Sequence, residues 1–151
     1  MRVHPIHARL VAVASSRLAE AAALLLARLA LGGVFWRSGQ TKIAEGTWFS
    51  ISETTYELFR TEYARVPLSP DLAAVAAAAA EHVFPVLLLL GLGTRLSALA
   101  LLGMTLVIQI FVYPEAWWPV HSLWAALAAV LIVRGGGLAS LDAVLAGRKP
   151  R

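Results

Sequence analysis

Three ionisable side chains stand where a sequence this apolar tolerates them least. Glu81 and His82 lie at the centre of DLAAVAAAAAEHVFPVLLLLGLGTR (71–95), and Arg28 interrupts LLLARLALGGVFWRSGQTK (24–42). Each run can cross a hydrocarbon core about 30 Å thick at about 1.5 Å per residue. An acid in the middle of such a run costs roughly 2.5–3.5 kcal/mol on insertion scales, so it should face protein or water and take a partner. Arg28 lies about ten residues into its run from the cytoplasmic side and Glu81 about ten into its own from the outer side, so both should sit near 15 Å deep. The expectation is a buried Arg28–Glu81 ion pair that neutralises two charges and fixes helix register.

A second polar layer is expected nearer the outer face. Gln109 and Tyr113 are one turn apart, His121 and Trp124 open the last apolar run, and Arg37, Gln40 and Lys42 end the first. With His82 between the layers, these residues could line an outward-opening pocket with donors and aromatic walls suited to a quinone head group. The same residues are ordinary interface anchors, and snorkelling explains Arg37 and Lys42 more simply. His82 and His121 could coordinate copper or act as haem axial ligands. Two histidines on separate spans, with no Cys and few Met, make a poor copper set. His4 and His7 could bind a metal ion, although a solvated tail is the simpler reading. No nucleophile–base constellation, phosphate loop or HExxH helix is present.

The composition says what must position these groups. The chain has 151 residues, 59% apolar and 15% charged, with mean hydropathy +0.72. Soluble domains have roughly 45–50% and about 25%. A polytopic membrane protein fits better than a soluble helical protein with an Ala-rich core. Net charge is +4, but the basic residues cluster at the ends of apolar runs, which points to topology rather than nucleic acid. The absence of cysteine excludes disulfides and cysteine-ligated clusters within this chain.

The expected fold is all-α: a transmembrane four-helix bundle with a short amphipathic extracytoplasmic helix between spans one and two. Residues 1–17 form a basic arm, read as a retained cytoplasmic segment because no small-residue cleavage pattern follows it. Residues 18–147 form the membrane domain, with spans at about 18–41, 71–91, 96–113 and 120–133, and 148–151 form a basic tail. Between spans one and two, Ser50 and Glu53 fit a capping box, and Ile51, Thr55, Leu58, Phe59 and Tyr63 recur at helical spacing. That helix should lie on the membrane surface or lid the bundle. Pro85, one turn past Glu81, should kink its helix. Glu115 to Pro119 reads as an aromatic loop. Gly32, Gly33 and Ala73 to Ala80 permit close packing within or between protomers. Arg2, Arg9, Arg17, Arg95, Arg134, Arg148, Lys149 and Arg151 fall on one side, against Lys42, Arg60, Arg65 and a snorkelling Arg37 on the other. The positive-inside rule then puts both termini in the cytoplasm.

ARLALGGVFWRSGQTKI (27–43), the acid of span two leading into LLLLGLGTRLSALAL (87–101), and the closing GGGLASLD (135–142) together resemble the DoxX family of small four-span bacterial membrane proteins. The likeness covers about residues 20–145. The family commonly closes with Gly-Pro-Gly, where this chain has Gly136 in place of the proline. FWRSGQTK, LFRTEY and VIQIFVYPEAWWPVH resemble a proteobacterial subgroup encoded beside small metal-binding peptides and their modifying enzymes, in copper-linked gene sets. The resemblance implies a multi-pass inner-membrane protein that acts as an accessory component of a redox or copper-stress system, with Arg28 and Glu81 as its buried polar core. Some relatives are described as subunits of a thiosulfate:quinone oxidoreductase, which makes a quinone-reactive subunit the second reading. A small carrier or channel using the Glu81/His82 cavity is the third. The expected partners are the bilayer, other membrane or periplasmic proteins, or a second copy, and not nucleic acid.

Overall fold

Ser16 starts the first span. Its hydroxyl accepts from the Ala19 N–H at 3.2 Å, and helix α1 runs over Arg17–Gln40. The computed structural model describes residues 12–13 and 15–147. Arg2, His4, His7 and Arg9, and the tail with Arg148, Lys149 and Arg151, lie outside the described residues. After α1 come α2 (Glu53–Thr61), α3 (Pro70–Leu90) and α4 (Thr94–Phe111). A 3₁₀ turn (Pro114–Ala116) and one π turn (Trp117–His121) then lead into α5 (Ser122–Arg134), followed by short α6 (Leu141–Leu145).

Four helical stretches are long and apolar enough to cross a membrane: α1, α3, α4 and the continuous Pro114–Arg134. The last corrects the expected aromatic loop and the late start at Val120. Pro114 suits a first helical position, and Pro119, which has no N–H to donate, sits inside the wider π turn. The spans close a ring in which α1 packs on α3 and α5, and α4 on the same two. Leu24, Leu31, Phe35, Leu88, Leu101 and Leu131 form its centre. Leu26, Leu29, Val83, Leu89, Ile110 and Val133 point outward and are exposed. An apolar sheath this extensive is what hydrocarbon covers and water does not.

Two glycines set the spacing of α1 and α3. A Cβ at Gly39 would lie 2.9 Å from His82 Cε1 and 3.1 Å from Glu81 Cβ, so only glycine lets these residues seat against α1. Gly91, at φ +67°, ends α3 with its N–H on the Leu88 carbonyl (3.0 Å), while the Leu92 N–H reaches Leu87 (2.9 Å). α3 runs unbroken through Pro85, which lies against Gly32.

The two ends of the bundle are built differently. At the end where α1 starts and α5 stops, Asp142 accepts from the N–H groups of Gly93 (2.8 Å) and Thr94 (2.9 Å), capping α4 from a distant segment. Arg134 and Glu20 form an ion pair beside it. At the far end, residues 42–52 fold back on themselves through a single antiparallel bridge, Ile43 to Ile51. The tip presents Trp48 and Phe49, 86% and 92% exposed. Ser52, not the expected Ser50, caps α2, and its Oγ accepts from the Thr55 N–H at 3.2 Å. The Ser50 carbonyl instead takes the Ala44 N–H (2.8 Å), and Ile51 belongs to the bridge, so both residues are spent before the helix begins. Phe59 of α2 packs on Ala73 and Ala74 of α3, so the amphipathic helix lids one side of the ring.

Candidate functional site

α1 ends at Gln40, and the chain turns at Thr41 so that the Lys42 side chain folds back into the bundle. Lys42 Nζ meets Glu81 Oε2 at 2.6 Å, and the two residues are 6% and 2% exposed. Ser38 completes the group: its hydroxyl donates to Glu81 Oε1 (3.1 Å) and accepts from Lys42 Nζ (3.1 Å). Ser38 and Lys42 are four residues apart, the spacing that brings side chains together at a helix end. The Lys42 carbonyl accepts from the Ser52 N–H (3.0 Å) and the Thr55 hydroxyl (3.2 Å). The root of α2 therefore aims the lysine. Burying both charges is sustainable because each finds the other and a hydroxyl besides.

The expected Arg28–Glu81 pair does not form. The Arg28 guanidinium is fully buried and donates to the carbonyls of Leu88 (3.2 Å), Leu89 (3.4 Å) and Ala139. The reason is register. Gly39 lies opposite Glu81 and His82, and Gly32 opposite Pro85, so Arg28 falls near the end of α3. Glu81 and Leu88 are seven residues apart, about 10 Å along the helix. At that end Arg28 meets the last carbonyls of α3, of which Leu88 also takes the Gly91 cap N–H, and the negative pole of the α3 dipole.

The second polar layer expected from the sequence divides into separate groups. The Gln40 amide donates to His82 Nε2 (3.1 Å), His82 Nδ1–H bonds the Ala78 carbonyl (2.7 Å), and Trp36 lies edge-on to the ring at 5.3 Å. On the other side, His121 Nδ1 donates to Gln109 Oε1 (2.8 Å), and Gln109 donates onward to the Pro114 carbonyl (2.7 Å). Trp124 tilts against His121 at 5.1 Å. Tyr113 donates to Glu62 and lies edge-on to Tyr63, while Arg37 is exposed. The two histidines thus belong to different groups, and among the described residues no three metal-ligating side chains converge.

A cavity of about 330 Å³ lies where α3, α4 and the α2 lid meet. Lys42 and Glu81 contribute its charged wall, Ala76, Ala77, Met104 and Ile108 much of its apolar one, and Phe59 and Tyr63 the side under the lid. These rings stack at 4.4 Å. Burial pushes the Tyr63 hydroxyl up to about 12, helped by Tyr113, Glu81 and Glu62, so it stays protonated and can donate. Tyr113 is raised by its bond to Glu62 and by burial. Ser38 and Tyr63 were absent from the sequence-derived site. The four-residue spacing of Ser38 and Lys42 was a readable signal for the first, and the place of Tyr63 on the apolar face of the expected amphipathic helix was the signal for the second. The arrangement sets a buried ion pair and a phenol at the wall of an otherwise apolar cavity.

Compared with family models, residues 23–114 match the one described as DoxX. No curated protein and no solved structure matches the chain.

Proposed function

The chain belongs to the DoxX family, and from that premise we propose that it is a membrane component of a redox or copper-stress system, holding a quinone-type head group in the cavity between α3 and α4. The observation that carries this reading is an ion pair and a tyrosine, Lys42–Glu81 and Tyr63, in an otherwise apolar wall. A quinone ring asks for apolar or aromatic contact on its faces and one or two donors at its carbonyl oxygens. The three N–H groups of the Lys42 ammonium are taken by Glu81 Oε2, the Ser38 hydroxyl and, at 3.5 Å, the Ser38 carbonyl, so the Tyr63 O–H is the donor left for the cavity, with the lysine charge behind it. About 330 Å³ lies at the lower end of the roughly 300–1,000 Å³ of ligand pockets, enough for a head group without its tail. A bound quinone would supply two-electron chemistry. The chain's own residues would bind its carbonyls, keep water away and hold protons at Lys42 Nζ and Tyr63 Oη.

The copper-linked side of the proposal rests on the FWRSGQTK, LFRTEY and VIQIFVYPEAWWPVH stretches. The charge distribution supports an inner-membrane orientation with cytoplasmic termini, which puts the cavity and its lid toward the outer half of the bilayer. The test is native mass spectrometry of protein released from membranes in mild detergent and supplied with a short-tailed quinone. Wild type should retain one quinone, Tyr63→Phe should retain less, and Ala77→Phe, which fills the cavity, should retain none. A wild type that retains none, or an Ala77→Phe variant that retains as much as wild type, overturns the reading.

A further inference from the structure

A second concavity, about 260 Å³, runs along the seam of α1 and α3 on the outside of the ring. Gly32 and Gly33 make its floor, Leu29, Trp36, Val86 and Leu89 its sides, and Arg28 closes one end. It shares no lining residue with the cavity that holds Lys42 and Glu81.

Arg28 makes this groove unlike the rest of the apolar sheath. Among the described residues, no carboxylate pairs with it within salt-bridge distance. Its two terminal nitrogens are held by neutral carbonyls, and its Nε–H is buried without a partner. Asp142 acts on it through space, but that carboxylate is committed to the N–H groups of Gly93 and Thr94. A buried cation with one donor left over calls for an anion. Length and depth say which kind. Arg28 is level with the carbonyl end of α3, where that candidate span ends. From there to Trp36 is eight residues, about 12 Å, close to the thickness of one leaflet's hydrocarbon.

We propose that the groove holds one acyl chain of an anionic phospholipid from the leaflet at the Asp142 end, with its phosphate opposite the Arg28 Nε–H. The glycine floor admits the chain between Leu29 and Val86, and Trp36 stops it near the midplane. A helix from a second copy would fill the same groove but would bring an apolar side chain to Arg28, leaving the cation as it was.

The proposal is tested by reconstituting the protein in bilayers of equal phosphatidylglycerol and phosphatidylcholine with matched chains, then counting retained lipids by native mass spectrometry. Wild type should keep phosphatidylglycerol over phosphatidylcholine by about tenfold, because the choline ammonium of the latter offsets at close range the negative charge that the shared phosphate brings to Arg28. Arg28→Gln should keep both lipids alike. Should that variant fail to fold, Gly33→Leu decides, because a Cβ at Gly33 meets no atom within 4 Å and the added side chain starts in the open groove. Gly33→Leu should lose the retained lipid. Equal retention of the two lipids by wild type overturns the proposal. So does phosphatidylglycerol kept by Gly33→Leu, or a lipid-free dimer that this substitution breaks.

Discussion

Glu81 and Lys42 each make the other's burial tolerable, and substitutions should expose that dependence. Removing one member of a buried pair typically costs about 3–5 kcal/mol, because a bare charge is left behind, whereas replacing both by apolar groups is often nearly neutral. Glu81→Leu and Lys42→Met should therefore each lower the unfolding temperature in detergent sharply, and the double variant should recover much of the loss. Arg28→Leu should show no such rescue with Glu81→Leu, since the two side chains do not meet. Asp142 gives a pH-dependent counterpart. Burial alone would raise its carboxyl, but the N–H groups of Thr94 and Gly93 and the charge of Arg28 outweigh it, so it is held below its ordinary 3.8. A depressed carboxyl stabilises the fold above the unfolded value and ceases to as pH falls through the lowered one. The Asp142 end should loosen only below about pH 4, and Asp142→Asn should remove that step from an acid titration followed by hydrogen exchange of residues 93–97.

The lid helix α2 hangs on few bonds. Its cap, Ser52 Oγ to the Thr55 N–H, should be worth about 1 kcal/mol, so Ser52→Ala should speed hydrogen exchange across 53–61 before it lowers global stability. The elements were largely legible in the sequence: the apolar runs gave the spans, and the 3.6-residue period gave α2. What could not be read was how far one helix slides past another. The depth estimate for Arg28 put the start of α1 level with the end of α3, to which it runs antiparallel. In the fold, the first turns of α1 continue past the end of α3, and Gly137 packs on Ala21 and Leu24 there. That offset removes Arg28 from Glu81 and gives the acid to Lys42, a residue the apolar run seemed to leave outside. Gly39, the only residue type that fits opposite His82, carries the register, but a glycine near a helix end has many possible meanings.

At the scale of the whole molecule, the sequence places more basic residues around one set of span ends than around the other, and that count predicts an orientation. Because the chain has no cysteine, single substitutions report on sidedness without background. Ala146→Cys should react only with a membrane-permeant maleimide in intact cells, and Ser50→Cys also with an impermeant one. The reverse pattern would invert the orientation and put the cavity toward the cytoplasm. The far end also has a mechanical side. The Trp48–Phe49 tip is tied by one bridge to a root formed by Lys42 and Ser52, and that root carries both the buried lysine and the cap of α2. The hairpin is thus a lever whose fulcrum is the Ile43–Ile51 bridge. A load on its aromatic head is delivered to the backbone that aims Lys42 at Glu81.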